Sequence, residues 1–195
     1  MNSVDRKKEV INACLEQFME KGLNGTSSRD LSNALKLQNG GLYYYFKSKT
    51  NVVVACVEEA LTRLELNLII PAVVNVNNPK MMISNTYKNA AKLSKVMKFY
   101  VSAYLSNDYG AKINPIVCRF RKRDPYYIEE ISKKLKTSIE EVSPLYYIFK
   151  SAIIYYLIFG DKIYIEPQVK VVEEKLQEII SRKNVDGAKV GKNLF

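Results

Sequence analysis

Two amides (Gln38, Asn39), three consecutive phenols (Tyr43, Tyr44, Tyr45) and the ammonium of Lys49 crowd one short stretch of this chain. A planar amide can donate to and accept from the edge of an adenine at once. Phenol and ammonium hydrogens suit phosphate oxygens, which fix position without reading sequence. These residue types at this spacing point to nucleic-acid contact rather than to bond-breaking chemistry. The Leu/Tyr/Phe periodicity of the same stretch also suits a helix packed into a core, so periodicity alone leaves both readings open.

Catalysis has little to stand on. The 195 residues contain no histidine, which removes the commonest general base and metal ligand. The glycine pair Gly40-Gly41 lacks the spacing of a phosphate-cradling loop. The carboxylate pairs Glu58-Glu59, Glu129-Glu130 and Glu173-Glu174 are adjacent in sequence and would point to different sides of a helix. No enzyme, cofactor or metal is expected.

The polar residues need short helices to position them. Thr26 and Ser27 can each cap a helix start, and Asp30 then falls in a first turn, where the helix dipole favours a carboxylate. Leu31, Ala34 and Leu35 predict one buried stripe, with Ala34 small where a second helix would cross closely. Lys36-Leu37 reads as the turn. The second helix is expected from Gln38 to Phe46, with Leu42 and Phe46 inward and the amides and tyrosines outward, and Ser48 caps a third. Gly40 and Gly41 should each cost a helix interior about 1 kcal/mol relative to alanine. Close approach to another surface, or a partly non-helical turn, would account for the pair.

The stretch from Phe18 to Lys49 resembles the N-terminal DNA-binding domain of the tetracycline-repressor (TetR) family. Phe18 and Gly22 match the F-x-x-x-G that ends that family's first helix, and Thr26 matches the threonine that begins its second. Gly40, Leu42, Tyr43, Tyr44, Phe46, Ser48 and Lys49 match a recognition helix of the form G-x-L-Y-Y-H-F-x-S-K. Beyond this region the resemblance is one of architecture only. It implies that Gln38, Asn39, Gly40 and Gly41 lie at the major groove. Tyr43, Tyr44, Tyr45 and Lys49 would touch phosphates, with Thr26 and its neighbour Ser27 near the DNA backbone at the start of the second helix. Three positions depart from the family pattern: Lys36 stands where the turn glycine is usual, Asn39 where a basic residue is frequent, and Tyr45 where histidine is frequent.

The chain carries 30 basic and 20 acidic residues, a net charge of +10 that favours a polyanionic partner. Residues 1–50 hold eight of the cations against five carboxylates, so the remaining charge is expected to spread over the rest. Arg119, Arg121, Lys122 and Arg123 around Phe120 suit a solvated loop better than an anionic-ligand site or an auxiliary DNA contact. Cys14, Cys56 and Cys118 are odd in number and form no C-x-x-C pair; reduced thiols, with Cys14 and Cys56 on apolar helix faces, fit a cytoplasmic protein. The charged N-terminus does not read as a secretory signal. Ser151 to Phe159, the most apolar stretch, is shorter than a bilayer requires, so no membrane partner is expected.

Helical periodicity continues throughout, predicting an all-α chain. Val4, Ile11, Leu15 and Phe18 would line the first helix, and Val53, Val57, Ala60, Leu64 and Leu68 a long helix from Ser48 to Pro71. Pro71 to Pro79 reads as a loop, and Ala90, Leu93, Met97, Tyr100 and Tyr104 as the face of the next helix. Pro115 should break the segment that follows. A helix from Asp124 should carry Ile128, Ile131, Leu135 and Ile139. Another should open at Ser143-Pro144 and stop at Gly160, and a last one should start at Pro167. The expected domains are a helix-turn-helix domain over 1–50, a larger helical ligand-binding and dimerisation domain over 51–182, and a flexible tail over 183–195. The tyrosines of the second domain could line a pocket or pack its core.

Together these readings imply a transcriptional regulator, in the family's usual form a repressor released by a small-molecule effector. It would bind double-stranded palindromic DNA through the helix from Gln38 to Phe46, as a homodimer paired through its last two helices. A helical dimer that binds protein or anionic ligands without reading an operator is the alternative, kept open by Lys36, Asn39 and Gly41.

Overall fold

A computed structural model of the chain describes the backbone of residues 3–35 and 41–192, with side chains placed for 5–35 and 41–183. Every regular element among the described residues is helical. Helix α1 (Ser3–Lys21) buries Val10, Cys14, Leu15 and Phe18 and ends at Gly22, whose φ of 77° is the left-handed stop that glycine tolerates best. Its inward face is centred on Val10 and Cys14, so Ile11 is only half-buried.

Helix α2 (Ser28–Ala34) is capped by Ser27 alone. It buries Leu31 and Ser32, and Ala34 faces solvent, so the expected Leu31/Ala34/Leu35 stripe is rotated toward Ser32. The Ser32 hydroxyl makes this possible by donating to the Ser28 carbonyl oxygen at 3.1 Å. Helix α3 is Gly41–Tyr45 and α4 is Lys49–Leu64. The expected turn at Lys36-Leu37, and with it Gln38, Asn39 and Gly40, lies outside the described residues.

Helix α4 buries Val52, Val53, Cys56, Val57 and Ala60 completely. It then widens into a π-helical turn, Glu65–Ile69, and resumes as α5, Ile70–Val74. The loop expected from Pro71 therefore begins later. Pro71 falls in the first turn of α5, where its missing N–H would have had no partner anyway. Asn78 Oδ1 accepts from the Met81 N–H at 3.1 Å and caps α6, Pro79–Tyr104.

Helix α7 (Gly110–Arg121) runs on through Pro115, which was expected to break it; the proline ring faces solvent. Helix α8 (Asp124–Leu135) closes at Lys136, whose φ of 52° is left-handed. Ile139 is not on the α8 stripe but opens α9 (Ile139–Phe159), capped by Ser138. Pro144 thus lies inside a helix it was expected to start. At 21 residues α9 is long and apolar enough to cross a membrane by length and composition, unlike the shorter stretch read from sequence. It buries seven of its side chains and packs on α8 and on α10, Glu166–Lys192. Helix α10 runs as far as Lys192, into the segment expected as a tail.

The chain forms two compact units. The first comprises Met1–Leu64 with Lys95–Arg121, the second Glu65–Ser94 with Lys122–Phe195. In the first, Phe18 stacks on Phe99 with ring centroids 5.4 Å apart, and Arg63 on α4 reaches Glu16 and Asn12 on α1, each at 3.1 Å. In the second, Asp124 receives Lys150 Nζ at 2.6 and 2.7 Å and the Tyr146 hydroxyl at 2.7 Å. Glu65, buried in the π turn, accepts from Tyr127 at 2.6 Å and pairs with Arg123. Each of these buried carboxylates has its oxygens satisfied, as burial of a charge requires.

Candidate nucleic-acid interface

Helix α3 is too short to be stable alone. It is held by Leu42, 1 % exposed, and by Phe46 just past its end, with Lys7 Nζ 5.6 Å from the centroid of the Phe46 ring. Two anchors four residues apart leave the opposite side outward. Tyr43 is 52 % and Tyr44 86 % exposed, which is a large aromatic surface to leave in water. Tyr45 is half-buried, and its ring meets that of Tyr44 edge-on at 5.1 Å. Gly41 is the first residue of α3 and half-buried.

Thr26 has a different place from the one its capping chemistry suggests. It is fully buried, and its hydroxyl donates to the Gly22 carbonyl oxygen at 2.7 Å, with the Gln17 carbonyl at 3.4 Å. Its side chain fixes the approach to α2 and is not free to touch DNA. Ser27 does the capping: its Oγ accepts from the Asp30 N–H at 3.1 Å, and its own N–H and hydroxyl donate to Asp30 Oδ2 at 2.9 and 2.5 Å. Hydrogen bonds from Ser27, then Lys21 at 2.9 Å, hold the Asp30 carboxyl well below the usual carboxylate range.

Lys49 opens α4 directly after the Ser48 cap, which accepts from the Asn51 N–H at 3.2 Å. Lys49 Nζ lies 3.4 Å from the Leu23 carbonyl oxygen, so the ammonium leans toward the loop before α2. Of the ten expected contact residues, Tyr43, Tyr44, Tyr45, Gly41 and Lys49 fall on α3 and the first residue of α4. Ser27 is exposed at the start of α2, Thr26 is buried, and Gln38, Asn39 and Gly40 lie outside the described residues. Sequence reading missed Arg6. Glu9, then Tyr45, hold its guanidinium in the charged form beside α3. Its position one turn before the buried Val10, with Glu9 three residues on, was the available signal.

In the second unit, α9 and the segment leading into α10 frame an open groove of about 630 Å³, walled by Tyr147, Ile148, Ala152, Tyr155 and Ile165. Two of the tyrosines that could have lined a ligand pocket, Tyr127 and Tyr146, are instead bonded to Glu65 and Asp124. Tyr87 keeps a buried hydroxyl with no hydrogen-bond partner among the described residues. No group of three histidine, cysteine or acidic residues converges to hold a metal among the described residues.

Residues 10–56 match the family model described as bacterial regulatory proteins, tetR family. The match takes in α2, α3 and the first half of α4. Among solved structures, the crystal structure of the multidrug binding protein EbrR complexed with imidazole superposes with a TM-score of 0.61. It is 14 % identical and covers 87 % of this chain and 94 % of its own, so the likeness is one of fold. No curated protein sequence matches the chain.

Proposed function

We propose that the chain, whose residues 10–56 match the model of the bacterial regulatory proteins of the tetR family, is a DNA-binding transcription regulator: a cytoplasmic repressor, homodimeric on a palindromic operator and released by a small molecule. The observation that carries the reading is the exposure of Tyr43 and Tyr44 on a helix pinned from behind by Leu42 and Phe46. Phenols there suit phosphates, Lys49 adds an ammonium, and Gln38 and Asn39 are assigned to base edges.

The apolar α9 groove supports the dimer. Tyr147, Ile148, Tyr155 and Phe159 are all exposed on one helix, more than a solvated face ordinarily shows. Pairing α9 and α10 with their two-fold mates would cover them and offer two readers to half-sites about 34 Å apart. For the effector, the multidrug binding protein of like fold and the unpaired hydroxyl of Tyr87 favour the second unit. The effector acts by binding more tightly to the conformer that cannot hold DNA.

Titration of the DNA upstream of the chain's own gene, at increasing salt, tests the proposal. Sequence preference that survives physiological salt supports an operator reader. Affinity that fades equally on operator and scrambled DNA removes it. A monomer in sedimentation at micromolar concentration removes the dimer.

A further inference from the structure

With the helices assigned, the net charge proves not to be spread along the chain. Residues 79–123, which hold α6 and α7, contain ten lysines and arginines against Asp108 alone, nine of the ten net positive charges. Residues 124–195 balance eleven cations with eleven carboxylates. A general preference for lysine would not separate the helices in this way. Helix α6 is the extreme case, with 26 residues, five lysines and no carboxylate.

Lys80, Lys88, Lys92, Lys95 and Lys98 are all exposed, and at 100° per residue they fall within one side of a single uninterrupted helix. From Lys80 to Lys98 that side runs about 27 Å. The exposed lysines of α8 and α10 pair with neighbouring glutamates, as Lys133 does with Glu129 and Lys175 with Glu178. None of the five on α6 has an ion pair among the described residues.

We propose that the outward side of α6 is a second, sequence-independent contact for the phosphates of duplex DNA. A linear row of cations fits an extended polyanion, whereas a compact anion needs donors that converge. The side also lacks what a bilayer surface requires. Between the lysines it presents Ser84, Ala91 and Ser102, with Met81 at the N-terminal end as its one exposed large apolar residue, too little apolar surface to enter a bilayer. The ridge raises affinity for DNA of any sequence and does not depend on operator reading.

The test is the salt dependence of binding to a random-sequence duplex between about 50 and 200 mM KCl. Wild type is compared with the variant combining Lys88→Gln, Lys92→Gln, Lys95→Gln and Lys98→Gln, and with its charge-preserving counterpart carrying arginine at the same four positions. If all four engage, the slope of log K against log salt becomes shallower by about 3 to 4 in the glutamine variant and stays near wild type in the arginine variant. An unchanged slope in the glutamine variant overturns the proposal, as does loss of binding to phosphatidylserine vesicles while the DNA slope is retained. A slope that drops in a protein showing no operator preference keeps the ridge and removes the repressor reading instead.

Discussion

The Thr26 hydroxyl donates to the carbonyl oxygen of Gly22 across 2.7 Å, and this one bond sets where the second helix starts relative to the end of the first. Gly22 turns left-handed at φ 77°, and Thr26, fully buried, closes the turn. Replacing Thr26 by valine keeps the shape but leaves the carbonyl unpaired, an expected loss of about 1–3 kcal/mol in urea unfolding. Gly22→Ala meets no side chain and costs only the backbone, about 1–2 kcal/mol. Both variants should bind DNA normally once corrected for the folded fraction. A loss of affinity in fully folded Thr26→Val would assign the hydroxyl a direct contact.

Tyr44→Phe and Lys49→Ala should weaken every duplex by a similar factor, because phosphates carry no sequence information. Asn39→Ala should instead relax preference at one base position, by about 1–3 kcal/mol of discrimination. Binding to a set of single-base operator variants separates the two patterns. If Asn39→Ala leaves the preference intact, the base-reading assignment fails while the phosphate contacts stand.

Acid should loosen the cap of α2. The folded Asp30 carboxyl is held below its ordinary value of 3.8 by Ser27 and Lys21, so its contribution is complete above that value. It is lost as pH falls from there through the folded value. Melting temperature against pH should therefore decline less steeply at the acid end in Asp30→Asn than in wild type. Equal slopes would mean the capping bond makes no pH-dependent contribution.

The Asp124–Lys150 pair should show a large single-variant penalty and a small double one. Lys150→Met strands a buried carboxylate that keeps only the Tyr146 hydroxyl, an expected cost of about 3–5 kcal/mol. Adding Asp124→Leu removes the stranded charge and should recover much of that loss. Denaturant unfolding of the two single variants and the double gives the coupling directly.

The helical class and the anchors of α3 were legible because Leu42 and Phe46 stand four apart with tyrosines between them. The Gly160 stop was legible for a similar local reason, a glycine after a long apolar run. Proline misled three times. Pro71 sits in a first turn, and Pro115 and Pro144 lie inside helices; the start of α9 was in fact marked by Ser138 with Glu141 three residues on, a capping signal passed over in favour of the proline. The roles of Thr26 and Ser27 could be told apart only by what stands three residues on: Asp30 completes a capping box with Ser27, while Thr26 has Arg29 there. The left-handed turn at Gly22, which brings a carbonyl within reach of Thr26, accounts for the other hydroxyl. The buried pairs of Glu65 and Asp124 join residues 58 and 26 positions away, a distance that no local pattern reports.

The three thiols differ in a way an experimenter can exploit. Cys14 and Cys56 are sealed in the core of the first unit, and burial pushes Cys14 up to about 12 and Cys56 well above its ordinary value. Cys118 alone stands in solvent. An alkylating reagent should thus tag one sulfur promptly and reach the other two only when that core breathes, since the thiolate is the reacting species. The lag between the first adduct and the third is a clock for transient opening, already wired into the native chain.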